Sequence, residues 1–295
     1  MHRTLIQFAD YSGGNANFVQ RGKKPGDCEC SPGCRECYVK RIWVRNPDAW
    51  PDKTKIHPQK LASLARCRPT PRDIPYRRGT GSKPMVFVCD TGDLFHYDVP
   101  REFVYRALDM MESREDIDWQ IVTKRHERAY YLVNNWLARR RDALPPWMWI
   151  IYTICDQEEV DTGVPFLLKI PAAVRGLSIE PMLGPVDINS PCLSMHSLNF
   201  ADTVDIMKEY GEQLWVICGG ESGVKARPMQ KTWPQSLRDQ CIAAKAPFFF
   251  KQWGEYLPVY NNNYTVAGYT MTRVGRKEAG RILDGVLWEQ YPEVR

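Results

Sequence analysis

The sequence predicts an α/β protein built on a partial parallel (β/α) barrel of six or seven strands, with a short C-terminal appendage. Apolar runs of strand length recur roughly every 25 to 40 residues between residues 85 and 250. They are continuous rather than alternating, which is typical of parallel strands buried on both faces. Helical patterns lie between them, and this alternation implies right-handed strand–helix–strand crossovers. A doubly wound open sheet is the alternative.

The predicted strands are short apolar runs bounded by polar or helical segments. If the first run is counted, seven strands are expected. They are Leu5–Phe8, Met85–Cys89, Trp119–Val122, Trp147–Tyr152, Val174–Ile179, Leu214–Cys218 and Pro247–Phe250.

The predicted helices show apolar residues at i, i+3 and i+4 spacing. Pro100 precedes one such stripe, and Asp156 with Glu159 resembles a capping box at the start of another. Thr232 is expected to cap a further helix. The helical stretches are Tyr38–Val44, Gln59–Ala65, Phe103–Met111, Ala129–Leu137, Val160–Leu168 and Pro234–Ala244. From residue 256 the chain is polar, so we expect a barrel domain over 1–255 and an appendage over 256–295 packed on the same domain.

Bulk composition indicates a globular protein with a substantial core. The chain has 295 residues, of which 43% are hydrophobic, and a formal net charge of +5. That charge permits a nucleic-acid partner without demanding one. The first residues hold no long apolar run, and no stretch approaches a membrane span. We therefore expect a monomeric cytoplasmic protein with no membrane partner and with reduced cysteines.

Four cysteines crowd into ten positions, and thiolates this dense in an intracellular chain usually hold a metal. Cys30, Cys34 and Cys37 follow a C-x3-C-x2-C spacing. Three thiolates can bind three irons of a 4Fe–4S cluster and leave the fourth iron open. The alternative is a closed zinc site with Cys28 as fourth ligand. A disulfide is disfavoured, because nothing places the chain outside the cell.

Each later predicted strand ends in polar residues, and in parallel barrels the chemistry collects at the carboxyl ends of strands. Glycines before Glu221 would let backbone amides approach a ligand closely. For the cationic residues of this set, solvated loop charge is the alternative role. Cys89, Cys155 and Cys218 are expected to serve packing. The polar strand ends are Gly92 and Asp93, Lys124 and Arg125, Thr153 and Asp156, Ser178 and Glu180, Gly219 to Glu221, and Lys251 with Trp253.

The cysteine loop in a (β/α) chain resembles the radical SAM superfamily. More closely, the chain resembles a phage-associated family of poorly characterised radical-SAM-like proteins. Superfamily members usually carry an aromatic residue where this chain has Glu36. The phage family usually has its first cysteine further upstream, so Cys28 and Cys30 both remain candidates, and Cys30 restores the usual superfamily spacing. The matching stretches are Ser31–Tyr38, Gly92–His96, Thr123–Arg125, Glu180–Val186, Gly219–Gly223, Ala226–Pro228, Leu237–Gln240, Pro247–Gly254 and Ala279–Gly285.

The resemblance implies a 4Fe–4S cluster on Cys30, Cys34 and Cys37, with Cys28 as an alternative to Cys30, and bound S-adenosylmethionine (SAM). Gly92 and Asp93 match the superfamily's motif for the methionine amino group. The remaining implied SAM residues are Tyr38, Thr153, Asp156, Ser178, Glu180, Gly219, Gly220 and Glu221. The expected substrate residues are Lys124, Arg125, Lys225, Arg227, Lys251 and Trp253.

Three functions are compatible with these features. The leading hypothesis is a radical SAM enzyme, served by an external electron donor, that modifies or rearranges a nucleobase or DNA base modification for a phage in its host's cytoplasm. The second keeps the chemistry but changes the substrate to a small molecule or a photodamaged pyrimidine. The third is a zinc-stabilised nucleic-acid-binding module without enzymatic activity.

Overall fold

The computed structural model describes residues 2–3, 6–24, 30–68, 82–138, 140–189, 209–260 and 268–293. The strands in these ranges are β1 (His2–Arg3), β2 (Tyr11–Ser12), β3 (Val19–Gln20), β4 (Lys55–Ile56), β5 (Met85–Val88), β6 (Asp118–Thr123), β7 (Met148–Ile154), β8 (Arg175–Ile179), β9 (Leu214–Gly219), β10 (Phe248–Gln252), β11 (Tyr256–Tyr260) and β12 (Tyr269–Arg273). The α-helices are α1 (Tyr38–Arg45), α2 (Pro58–Leu64), α3 (Arg101–Glu112), α4 (His126–Leu137), α5 (Gln157–Leu168), α6 (Thr232–Ala243) and α7 (Arg276–Ala279). Over these ranges, no helix has the length and apolar character needed to cross a membrane.

The main sheet runs in the order β1-β2-β5-β6-β7-β8-β9-β10. Every pairing from β2 to β10 is parallel, and only the edge strand β1 is antiparallel. The strand order follows the chain without reversal, whereas a doubly wound sheet needs a reversal point. Seven parallel strands form a curled half-barrel, which confirms the predicted partial barrel and excludes the open-sheet alternative.

The predicted first strand is wrong in its position. Residues 6–8 form a turn, in which Ala9 N–H donates to Ile6 C=O at 3.2 Å, and the parallel pairing is made later, by Tyr11 with Val86. Phe8 is nevertheless buried, with its ring edge-on to Trp215 at 6.1 Å between centroids. The apolar run therefore indicated burial inside the half-barrel rather than strand pairing.

Strand alternation divides the apolar residues into two cores. On β7, Ile150 and Tyr152 belong to the large outer core beneath the helices, whereas Trp149 and Ile151 belong to the smaller inner core with Phe8. The next inward position on β7 is Thr153, at the carboxyl end. Polar side chains of this kind form a layer above the apolar interior of the half-barrel.

Helix α5 begins as predicted, with a modified capping box. The Asp156 side chain accepts the Glu159 N–H at 3.0 Å. The Glu159 carboxylate, however, accepts the Cys155 N–H at 2.7 Å instead of the Asp156 N–H. The cap predicted at Thr232 is wrong, because Thr232 is the first residue of α6 and Lys231 occupies the cap position without a side-chain bond.

The C-terminal segment packs against the last strands of the barrel. Strands β11 and β12 pair as an antiparallel hairpin. Beyond them, the Trp288 C=O accepts the Phe250 N–H at 3.0 Å, and the Gln290 C=O accepts the Trp215 indole N–H at 3.0 Å. Leu283 is completely buried in the outer core. The domain division at residue 255 stays a prediction.

Candidate functional site

A cavity of about 610 Å³ opens at the carboxyl edge of the half-barrel. Apolar side chains from the inner core form part of its lining, among them Phe8, Phe87 and Val122. The lining also includes many of the predicted site residues. These are Cys34, Cys37, Tyr38, Gly92, Asp93, Lys124, Thr153, Ser178, Glu180, Gly220, Glu221 and Lys251.

The cysteine loop is a compact turn that leads directly into α1. The Ser31 hydroxyl accepts the Gly33 N–H at 3.3 Å, and the Ser31 C=O accepts the Cys34 N–H at 2.9 Å. Cys37 then occupies the cap position of α1. Cys34 is buried, whereas Cys30 and Cys37 are half-buried, and none of the described cysteines forms a disulfide. Cys28 lies outside the described residues, so the choice between Cys28 and Cys30 stays open.

The loop rests on Cys155 and Pro181. The Ser31 Oγ lies 3.3 Å from the Cys155 Sγ, and a Cβ built on Gly33 would lie 2.6 Å from that sulfur. Burial raises the pKa of the Cys155 thiol to about 11. Cys155 therefore serves packing, as expected, and its contact partner is the cysteine loop.

Among the described residues, no three His, Cys, Asp or Glu side chains converge to hold a single metal ion. Cys28, the fourth ligand of the zinc alternative, lies outside the described residues.

Two buried cations flank the cysteine loop. The Arg21 guanidinium donates from Nη1 to the Cys37 Sγ at 3.5 Å and lies over the Trp43 ring, 4.9 Å from its centroid. The Lys124 Nζ is buried without a hydrogen-bond partner among the described residues. Burial alone would lower the pKa of Lys124, but the attraction of Cys155, Cys34, Glu159 and Cys30 raises it above its ordinary value. Arg21 was not predicted from the sequence.

Asp93 holds two strand ends together. Its Oδ1 accepts the Phe95 N–H at 2.9 Å and the Thr123 hydroxyl at 2.8 Å, while its Oδ2 accepts the Lys124 N–H at 3.0 Å. Burial raises the pKa of this carboxyl. Three protein donors already occupy it, so its visible role is structural, and binding the methionine amino group stays a prediction.

Ser178, Glu180 and Lys251 form a hydrogen-bonded set that links the carboxyl ends of β8 and β10. The Ser178 hydroxyl donates to the Glu180 Oε2 at 3.1 Å, and the Lys251 Nζ lies 3.0 Å from the Glu180 Oε1. A Cβ on Gly219 would lie 2.4 Å from the Glu180 Oε1. Gly219 therefore leaves room for a protein carboxylate, a use that its assignment to SAM binding did not anticipate.

Glu221 and Arg227 fasten a neighbouring loop to the cysteine loop. The Arg227 guanidinium pairs with the Glu221 carboxylate at 2.6 Å and donates to the Pro32 C=O at 3.2 Å. A Cβ on Gly220 would lie 2.1 Å from the Trp253 C=O, so Gly220 also serves close backbone packing. Arg227 is thus committed to protein groups rather than presented to a substrate.

Several predicted site residues lie away from the cavity. Asp156 caps α5, and the Arg125 guanidinium lies over the Tyr97 ring, 5.1 Å from its centroid. Lys225 is exposed and does not line the cavity. Trp253 is buried in the outer core, with its indole N–H donated to the Ile282 C=O at 2.8 Å. A register shift between Phe250 and Gln252 reverses the alternation, which explains why Trp253 points outward.

Two exposed arginines that the sequence prediction missed line the cavity. Arg45 ends α1, and Arg276 begins α7 in the C-terminal segment. Arg276 lies more than two hundred residues from the cysteine loop, so only the packing of the C-terminal segment brings it to the cavity. Arg45 and Arg276 therefore add to the expected cations Lys124 and Lys251 in the lining, which also includes the acidic residues Glu36 and Asp90.

The family comparison matches residues 24–292 to the family described as "Protein of unknown function (DUF5131)". The chain belongs to this family. The comparison with curated proteins returned no match. Solved structures of spore photoproduct lyase are similar in fold. The complex with dinucleoside spore photoproduct has 10% identity and a TM-score of 0.42, covering 92% of this chain and 72% of that one.

Two further structures of the same lyase give similar values. A single mutant, with a tyrosine changed to phenylalanine, has 10% identity and a TM-score of 0.43 over the same shares of both chains. A double mutant with bound AdoMet and dinucleoside spore photoproduct has 10% identity and a TM-score of 0.38, covering 80% of this chain and 64% of that one. Such values are too low to carry an activity from that enzyme to this chain.

Proposed function

We propose that this protein is a radical SAM enzyme that holds a 4Fe–4S cluster on Cys30, Cys34 and Cys37 and acts on a nucleobase or a DNA base modification. The observation that carries the proposal is the opening of Cys34 and Cys37 into the same cavity as the polar carboxyl ends of the parallel strands. Parallel barrels carry out their chemistry at this edge.

The surroundings of the cysteines fit an anionic cluster. A buried ammonium without a hydrogen-bond partner is costly, and the Lys124 Nζ is in that state among the described residues. Thiolate ligands give the site negative charge, and the Arg21 bond to Cys37 is a further cationic contact. A thiolate-bound cluster would balance both cations.

The cluster and SAM, when bound, supply reductive cleavage of SAM to a 5′-deoxyadenosyl radical that abstracts a hydrogen atom, with electrons from an external donor. The protein's own residues would position SAM and exclude water. Thr153 and Ser178 offer hydroxyl groups on adjacent strands, in direct register. The Glu180–Lys251 pair places both signs of charge in the cavity. Phe8, Phe87 and Val122 provide the apolar part of the lining.

A nucleic-acid substrate suits the charge of the rim. Arg45 and Arg276 are exposed, line the cavity and have no carboxylate partner among the described residues. Such cations can hold phosphates while a base enters the cavity, and a base in duplex DNA would have to be flipped out first. A phage DNA modification is the preferred substrate; a photodamaged pyrimidine or a small molecule is the alternative.

The cofactor test is metal analysis after anaerobic purification. We expect about four irons and four sulfides per chain, with loss of both in the Cys34→Ala protein. Cys67→Ala is the matched control, because Cys67 is a half-buried cysteine outside the cavity. Incubation with SAM and dithionite should release 5′-deoxyadenosine, measured by mass spectrometry. Zinc at one equivalent in place of iron would favour the binding-module hypothesis and end this proposal.

The substrate test is salt-dependent binding to single-stranded and duplex DNA. Replacing Arg45 and Arg276 together with Gln should weaken binding and reduce its dependence on salt, because neutralised phosphates release counterions. Arg101→Gln is the control, since Arg101 is exposed on α3 and paired with Glu102. If cluster-loaded protein binds neither DNA nor nucleotides at low salt, the nucleic-acid substrate is refuted and the small-molecule substrate replaces it.

A further inference from the structure

Arg21 and Lys124 are two buried cations that approach the cysteine loop from different elements. Arg21 follows β3 and is only 4% exposed, and Lys124 follows β6 with its Nζ buried. Within the described ranges neither pairs with a carboxylate. Arg21 donates to Cys37, and Lys124 is attracted by Cys34, Cys30 and the Glu159 carboxylate.

Arg21 is held in place by contacts within the protein. Its backbone N–H donates to the Thr91 C=O at 3.3 Å, and its guanidinium is sandwiched between Trp43 and the Cys37 Sγ. The Nε is buried with no hydrogen-bond partner among the described residues. A guanidinium held this way adds a positive charge and a hydrogen bond to one cluster ligand.

Lys124 reaches the loop from the end of β6. Its backbone N–H donates to Asp93 at 3.0 Å, and its side chain lines the same cavity as Cys34. Cys34, Glu159 and Cys30 are among the groups whose charge attracts its ammonium. The Nζ itself has no hydrogen-bond acceptor among the described residues.

We propose that Arg21 and Lys124 tune the cluster, by raising its reduction potential through buried positive charge beside the cysteine ligands. This inference rests on the proposed 4Fe–4S function. One-electron reduction adds a negative charge to the cluster, and a nearby cation stabilises the reduced form more than the oxidised form. Low local dielectric makes this interaction far stronger than between solvated charges. Hydrogen bonds to cluster sulfurs are known to set potentials in the same direction.

The test is a redox titration of the cluster, followed by electron paramagnetic resonance in the absence of SAM. Arg21→Gln and Lys124→Met should each lower the midpoint potential, whereas Arg21→Lys and Lys124→Arg should restore part of it. We expect at least a tenfold decrease in the reduction equilibrium constant for each neutral variant, equivalent to about 59 mV for one electron. Leaving out SAM separates charge tuning from any contact of Lys124 with that ligand.

The matched control is Lys40→Met. Lys40 lies on α1 three residues after Cys37, and its amine donates to the Arg35 C=O at an exposed position. Solvent and salt screen such a charge, so its removal should leave the potential nearly unchanged.

Iron and sulfide content of the wild-type protein decides the proposed function separately from this inference. If the wild-type protein carries no cluster, both fail. If it carries one, and neutral variants that retain iron shift no more than Lys40→Met, only the tuning inference is overturned. If a neutral variant loses its iron, the charge-retaining variant at that position must keep its iron and a midpoint potential less than about 59 mV below the wild-type value. Its failure to do so would also overturn the inference.

Discussion

The contact between Gly33 and Cys155 predicts that a single methyl group will displace the cysteine loop. A Cβ at position 33 would lie 2.6 Å from the Cys155 Sγ and 2.8 Å from the Pro181 Cδ. Ordinary contacts between such atoms are about 3.5 to 4 Å, so the loop must move by roughly 1 Å. Both neighbours are held by close packing, which resists a shift of this size. Cys34 is the next residue, so its sulfur would move with the loop.

We therefore expect Gly33→Ala protein to carry less than about half the wild-type iron per chain after anaerobic reconstitution, with a changed electron paramagnetic resonance spectrum. Gly184→Ala is the control, because no atom lies within 4 Å of a Cβ built there. Adding Cys155→Ala to Gly33→Ala removes the shorter of the two contacts and should recover part of the iron. Wild-type iron and an unchanged spectrum in Gly33→Ala protein would refute the reasoning.

Three other predictions concern the stability of the site. His126 is half-buried, and desolvation lowers the pKa of its imidazole to about 4. The unfolded state therefore binds protons first as pH falls, so stability is full above about pH 6.5 and should drop by at most about 2 kcal/mol from pH 7 to 5. This pH dependence, measured by urea unfolding, should be absent in His126→Gln protein. Asp93→Asn turns an acceptor of the Lys124 N–H into a donor and should cost about 1 to 3 kcal/mol of unfolding free energy, with exposed Asp98→Asn near zero. Arg114→Met removes hydrogen bonds to three carbonyls near the end of α2 and should cost about 3 kcal/mol of unfolding free energy by the same assay. A urea midpoint equal to that of the wild-type protein would contradict the prediction for Asp93→Asn or for Arg114→Met.

The sequence predicted the half-barrel well because buried parallel strands leave a strong signal. Every residue of β7 is buried, and its predicted range overlaps the observed one closely. The short strand β2 left no such signal, since only Tyr11 and Ser12 take part. The apolar run before it was misassigned because burial in a turn and burial in a strand select the same residue types.

The site was predicted less well, because hydrogen-bond partners are not visible in a sequence. Asp93 and Glu221 reach the expected edge, but both already accept protein hydrogen bonds there. Asp93 accepts from Lys124, 31 residues away, and Glu221 accepts from Arg227, 6 residues away. Arg21 precedes the cysteines in a loop with no regular pattern, and nothing in its neighbours indicates that it bonds to Cys37. Arg276 required knowledge of how the C-terminal segment packs.

Strand alternation explains most of the successes and failures at the carboxyl edge. Val122 and Ile151 face inward, and two residues further on Lys124 and Thr153 line the cavity, whereas Arg125 is one step out of phase and points elsewhere. Proximity to a strand end therefore does not by itself place a residue in the site; its phase relative to the last inward apolar residue must also agree. The rule fails where the ladder shifts, as it does in β10, and there it assigns Trp253 to the wrong face. Phase relative to an inward apolar residue thus explains why Lys124 and Thr153 line the cavity while Arg125 does not, and a shift in register explains the exception at Trp253.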